Sequence, residues 1–266
     1  MIENIYMIRN GALGTNFEMK VLFTTVGVLI CLYDWLTRRR KDYLWVFLLG
    51  AMGGFLAEWA LQVSGNRVMP QNYLWGYPIP IWASALLRAT CEGSAFMIVC
   101  LFFTDRLLEG KGRLRWCVFL LLTAAFIVVS SLVGRHAFKD IGGLVASRRH
   151  IFEPKVVLGL LGLMFFDAAW LAKAKKPVYR RAMYFFLIVA VLTSCWTMAE
   201  YAANTRWIEI ARAGYLLEAA PLLEFIVFVW DILAETAFIY LAFLALPYIL
   251  GLIKSPITDD QRTYLY

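Results

Sequence analysis

The last long apolar stretch of the chain, Pro221 to Leu250, carries Glu224, Asp231 and Glu235 among Leu, Ile, Val, Phe and Ala. Offsets of seven and four residues stack the three carboxylates on one helical face. A carboxylate in hydrocarbon is costly unless it is paired, hydrated or protonated, so its presence points to function. Two acids on one face in low dielectric should not both ionise, and Asp231 with Glu235 is expected to retain one proton at neutral pH. A retained proton is what a general acid needs. Three other apolar stretches hold Glu58, the Arg88/Glu92 pair and Glu200.

The elements that must position these groups are helices that cross a membrane. The chain has 266 residues, 61% hydrophobic and only 17% charged, more apolar surface than a soluble fold can hide. Runs of about 20 apolar residues fall at 19–37, 42–62, 80–107, 115–134, 155–173, 180–203 and 220–250. The expected fold is all-α: a polytopic integral membrane bundle of about seven transmembrane helices forming a single domain over 1–266. The first 19 residues have no sustained apolar core and do not read as a signal peptide. The five cysteines lie in or beside apolar runs without C-x-x-C spacing, and are expected to be buried and reduced.

Basic residues set the orientation. Thr-Arg-Arg-Arg-Lys (37–41) and the Lys173–Arg181 segment lie in connections on one side, which carries 15 Lys and Arg against 10 on the other. The excess predicts the N-terminus outside and the C-terminus inside. The net charge of +7 thus follows from topology, with no nucleic-acid partner implied. The connection Arg135–Lys155 is an exception, with five basic residues and both histidines, His136 and His150, on the outer side. It reads as a solvated loop, or as a site for an anion or a partner. Residues 65–80 mix Gly, Asn, Trp, Tyr and Pro like an interfacial lid, and 204–219 reads as an interfacial helix.

With that orientation Glu58, Arg88, Glu92, Glu200, Glu224 and Asp231 all fall in the outer half of the bundle and are expected to line one polar pocket. Asp34 and Asp167 are expected to be structural, paired across helices. Gly50 and Gly54, and Gly159 and Gly162, read as packing faces. Two histidines outside the spans cannot supply a membrane di-iron centre or a bis-His haem, and the last span has no Lys for a Schiff base. No G-x-S-x-G, H-E-x-x-H or P-loop is present. The expected chemistry needs no metal and no cofactor.

Aromatic rings accompany the acids: Trp59 follows Glu58, Trp196 precedes Glu200 by one turn and Trp230 precedes Asp231. Ala57-Glu58-Trp59 in the second span and Trp230-Asp231-Ile232 in the last resemble the acidic positions of the small seven-helix integral membrane terpene cyclases. More loosely, the 65–80 segment is similar to a run in membrane carotenoid cyclases and hydratases. The resemblance implies protonation of an epoxide or alkene of a lipophilic isoprenoid, followed by cyclisation. Glu58 and Asp231 are then the acid and base. Arg88, Glu92, Glu200 and Glu224 hold the substrate's polar group, and Trp59 and Trp230 its cationic or apolar part.

The sequence therefore supports a membrane enzyme acting on a lipid or isoprenoid. A proton-coupled or lipid transporter and a non-catalytic subunit of a larger complex are the alternatives. Partners are membrane lipids or a lipophilic substrate, and other membrane proteins or further copies of the chain. The expected location is the plasma (inner) membrane of a prokaryote or an endomembrane of a eukaryote.

Overall fold

The computed structural model describes residues 4–9, 17–110, 112–133, 147–212 and 215–253. Seven helices are long and apolar enough to cross a membrane. They are α1 (Phe17–Arg38), α2 (Asp42–Val63), α3 (Ile81–Leu108), α4 (Arg113–Val133), α5 (Pro154–Lys173), α6 (Lys176–Ala202) and α7 (Pro221–Ile249). Each lies within a few residues of its expected span. Much of the surface of α4 and α5 is exposed apolar side chain, among them Leu121, Val129, Leu158 and Phe165, as a lipid-facing helix requires.

The all-α expectation needs correction at one end of the bundle. The N-terminal segment and the second, fourth and sixth connections each contribute strands: β1 (Asn4–Arg9), β2 (Arg67–Val68), β5 (Ser147–His150), and the hairpin of β6 (Arg206–Arg212) and β7 (Tyr215–Glu218). They form one antiparallel sheet in the order β2-β5-β1-β6-β7. Four segments that emerge between spans on the same side satisfy one another's backbone groups there, where neither helix nor bilayer does. Residues 204–219 are thus a hairpin and not an interfacial helix. The pattern Trp207-Ile208-Glu209-Ile210 suits a strand buried on both faces better than an amphipathic helix.

The register gives the sheet two distinct faces. Arg67 lies opposite Arg149, Arg149 opposite Met7, and Met7 opposite Ile208, with Arg9 opposite Arg206. Cross-strand partners share a face, so four arginines sit on the side that carries Met7 and Ile208. That side packs on Val227 and Phe228 of α7. On the other face Arg148 pairs with Glu209 at 2.9 Å and lies over the Tyr6 ring, which stacks on His150. The 65–80 segment also holds a small hairpin, β3 (Asn72–Leu74) and β4 (Tyr77–Ile79). Trp75 and Gly76 turn it at positive φ, as a two-residue hairpin turn demands.

Below the sheet end, α3 carries a π-helical segment at Ala89–Ala95 and α7 another at Leu233–Phe238. The first is seated against α2 through Gly50 and Gly54. A Cβ on Gly50 would lie 2.6 Å from Met97 Cε, and one on Gly54 3.3 Å from Ala89 Cβ. The packing reading therefore holds for this pair. It fails for Gly159 and Gly162, where an added Cβ meets nothing within 4 Å. All five cysteines are free, but Cys117 is exposed on α4 rather than buried. Toward the opposite end, Met97, Leu101, Phe185, Val189, Leu192 and Leu244 form a fully buried apolar core.

Of the ten basic residues assigned to the sheet side, five (Arg9, Lys20, Arg67, Arg149 and Arg206) are engaged in ion pairs against the bundle. They are not solvated loop charges; on the opposite side Arg38, Arg40, Arg106 and Arg181 are paired likewise, and the excess from which the orientation is predicted stays on that side. In a variant lacking the native cysteines, Tyr215→Cys at the exposed edge of the sheet should react with a membrane-impermeant maleimide on intact cells. Lys175→Cys should react only after permeabilisation, and the reverse pattern would invert the orientation.

Candidate functional site

The acids predicted from sequence meet the sheet arginines at the junction of sheet and bundle. Glu58 accepts from Arg67 Nη1 at 2.6 Å and from Gln62 at 2.8 Å. Glu92, from the π segment of α3, takes Lys20 Nζ at 2.5 Å and Arg9 at 3.6 Å, with Arg88 one turn away at 3.8 Å. Glu200 lies 3.4 Å from Arg9 and 3.6 Å from Arg206. Asp231 has a guanidinium on each oxygen, Arg149 at 2.7 Å and Arg206 at 3.0 Å. Arg149 also reaches Glu235 at 2.5 Å. Glu92, Glu200, Asp231 and Glu235 are thus linked through Arg9, Lys20, Arg88, Arg149 and Arg206 into one network, and the Glu58–Arg67 pair lies beside it on the same cavity.

Near-complete matching is what makes this arrangement possible. A buried charge is tolerated when its partner and hydrogen bonds replace water, and becomes a large penalty when the partner is removed. Like charges directly opposite on a sheet repel, yet Arg67 faces Arg149 and Arg9 faces Arg206. The electrostatic signs follow the carboxylates. Burial works against the charge on Arg9 and Arg149, but Glu200 and Glu92 for the first, and Glu235 and Asp231 for the second, outweigh it and raise both above the ordinary arginine value. Arg67 and Arg206 are lowered, by burial first and then by neighbouring guanidiniums.

The network lines a cavity of about 180 Å³. Glu58, Arg88, Glu92, Asp231 and Glu235 line it, together with Arg9, Arg67, Arg149 and Arg206. Phe96, Trp196, Tyr240 and Phe243 supply aromatic faces, and Trp196 lies under Arg9 at 5.2 Å. The two π segments meet there. Tyr240 donates its hydroxyl to the backbone carbonyl of Glu92, a bond that ties the third and seventh spans across the cavity.

The remaining expected residues stand further out. Glu200 backs the cavity through Arg9 and Arg206. Glu224 accepts from Tyr201 beside Phe228 and pairs with no cation among the described residues. Trp59 is partly exposed and stacks on Phe55. Trp230 donates to Glu235 Oε1 at 3.0 Å and so holds that carboxylate from behind. Glu235 Oε2 is buried against Arg149 Nη2 at 2.5 Å. Of the stacked pair, Asp231 has two guanidiniums and Glu235 shares one of them.

Sequence reasoning passed over Arg9, Lys20, Arg67, Arg149 and Arg206. The five basic residues of the Arg135–Lys155 connection were the partial signal, since they stood on the side expected to carry fewer. His136 and the first part of its connection lie outside the described residues. Asp34 pairs with Arg38 of its own helix at 3.3 Å. Asp167, expected to pair across helices, is fully buried with no hydrogen bond at either oxygen. No cluster of His, Cys, Asp and Glu suited to a metal occurs among the described residues.

Searches of protein-family models, curated proteins and solved structures find no match to this chain. The site is therefore read from its own geometry. Asp231→Asn should strand Arg149 and Arg206 in a buried setting and destabilise the protein by about 3–5 kcal/mol. Thermal unfolding in a fixed detergent should show that loss, with a much smaller one for Glu224→Gln. Equal effects would mean that the network does not hold the sheet.

Proposed function

We propose that the protein is an integral membrane enzyme that uses carboxylic-acid chemistry on a lipophilic substrate, an isoprenoid or another lipid. The observation that carries this reading is the meeting of two π-helical segments at a charged cavity, each presenting a carboxylate, Glu92 and Glu235. π segments give up regular helical hydrogen bonding and occur frequently at functional sites. Both break their helices at the same depth, against the same polar volume.

Within that reading the acids divide their roles. Glu235 is the proton donor, because its one cation, Arg149, is shared with Asp231, which has Arg206 besides, so the proton that the buried pair retains falls on Glu235. Asp231, fixed by two guanidiniums, is the anion that faces developing positive charge. Glu58, across the cavity on α2, accepts the proton at the end of the reaction. Phe96, Trp196, Tyr240 and Phe243 offer ring faces to a cationic intermediate. Arg88 with Glu92, and Glu200 through Arg9, orient the substrate's polar group. Glu58 and Asp231 are the positions that carry the likeness to the membrane terpene cyclases.

A carrier built on the same acids would need a polar route across the bundle. Beyond the cavity, α3, α6 and α7 continue into the tight apolar core around Leu101, Leu192 and Leu244, which favours a closed site over a conduit. A non-catalytic subunit would keep the ion network as a clamp, without need of either π segment.

Purified protein in lipid nanodiscs, incubated with lipid extract from its own membrane and followed by mass spectrometry, tests the proposal. The wild type should convert a lipophilic species, and Glu235→Gln should slow that conversion by about 10²-fold or more with the fold intact. Conversion unchanged in both Glu235→Gln and Glu58→Gln would rule out acid catalysis at this site.

A further inference from the structure

A second cavity, of about 300 Å³, lies beside the β3–β4 hairpin where α2 ends and α3 begins. Arg67 lines both cavities, so the two adjoin through one side chain. The charge of Arg67 is already answered by Glu58. The remaining wall is apolar at Val68, Met69, Pro70, Ile79 and Ile81 and polar at Gln62 and Gln71, whose amides donate to Glu58 and to the backbone carbonyls of Asn72 and Ile79; two further polar atoms open onto it. Asn72 Oδ1 and Ser84 Oγ are buried there, and neither has a hydrogen-bond partner among the described residues. Asn72 is 7% exposed and Ser84 1%.

Buried polar groups are almost always bonded, and two left open on the wall of one cavity indicate a missing partner. The donor inventory restricts that partner. Asn72 Oδ1 only accepts, whereas the Ser84 hydroxyl both donates and accepts. A ligand must therefore bring a proton to Asn72. A carboxylate or phosphate oxygen would repel the amide oxygen, and an ether or ketone would leave it unsatisfied. A single alcohol oxygen serves both residues, donating to Asn72 and accepting from Ser84.

The surroundings specify what that alcohol is attached to. Trp75, Tyr77, Ile81 and Trp82 stand exposed on the hairpin and at the start of α3, the placement of aromatic groups at a membrane–water interface. Entry from the bilayer surface brings a hydrocarbon chain against Met69 and Ile81. We propose that this chamber binds the hydroxyl end of a long-chain alcohol lipid through Asn72 and Ser84. The assignment stands on the chamber's own geometry and holds whichever reaction the neighbouring carboxylates carry out.

The probe is 1-hexadecanol carrying a photoactivatable diazirine in its chain, added to the protein in nanodiscs and mapped by peptide mass spectrometry. Labelling should fall in residues 68–84 and be displaced by unlabelled 1-hexadecanol, but not by hexadecane or the methyl ether. Asn72→Leu combined with Ser84→Ala should cut it by about tenfold or more, given two lost hydrogen bonds, whereas Ser84→Thr should retain it. Thermal unfolding of each variant separates loss of the ligand from loss of the fold. Glu235→Gln should be labelled like wild type, so a failed acid mechanism leaves this test intact. Labelling confined to other segments, or equal displacement by hexadecane, would overturn the proposal. So would undiminished labelling of the double variant, the result expected of a merely water-filled recess.

Discussion

The structure depends on the cost of placing charge in a low-dielectric interior. Glu58, Glu92, Glu200, Asp231 and Glu235, which α2, α3, α6 and α7 carry into the cavity end of the bundle, are each met by a cation, most of them arginines that do not belong to the bundle at all. Four arrive from strands β1, β2, β5 and β6. Sheet and helices are therefore not separable layers. Without the acids, the sheet would bring two arginine pairs face to face. Without the sheet, the helices would hold ionised groups with few partners. The cavity lies at the seam, enclosed by the same charges that fasten the sheet down.

At the opposite end a second ion network frames the bundle. Arg181, 1% exposed, binds Asp105 at 2.5 and 2.7 Å and the Tyr248 hydroxyl at 2.7 Å, while Tyr43 donates to Asp105 at 3.0 Å. Arg38 links Asp34 to Glu109. Tyr43, Asp105, Arg181 and Tyr248 all sit in α-helix, with no π-helical turn beside them. The contrast gives the π segments their meaning. Ion pairing alone does not require them, because the network around Arg181 is as tightly paired in ordinary α-helix.

Much of this architecture was legible in the chain because a transmembrane helix is a local signal. Twenty apolar residues are enough to mark a span, and an acid inside one is conspicuous. Glu58, Arg88, Glu92 and Asp231 could be placed in the same half of the bundle from helical rise alone, and they do share a cavity. The sheet was not legible for the converse reason. β2 has two residues and β5 four, and each is stabilised only by partners more than fifty positions away. The clue was electrostatic: basic residues on the side expected from the charge count to carry few. Arg149 and Arg206 lay in segments read as a loop and a helix, so nothing local tied them to Asp231. The π segments leave no mark that helical periodicity can detect.

The pair Glu58–Arg67 tests most directly the claim that helix carboxylates and sheet arginines form one structural and functional unit. The two lie nine residues apart, on α2 and β2, at 2.6 Å. Thermal unfolding of the purified protein should be compared for Glu58→Arg, Arg67→Glu and the exchange of both. Each single reversal places like charges together in a buried site and should lower the melting temperature sharply, whereas the exchange should recover most of the loss. Single reversals that unfold like the wild type, or an exchange no better than the sum of its parts, would contradict the account.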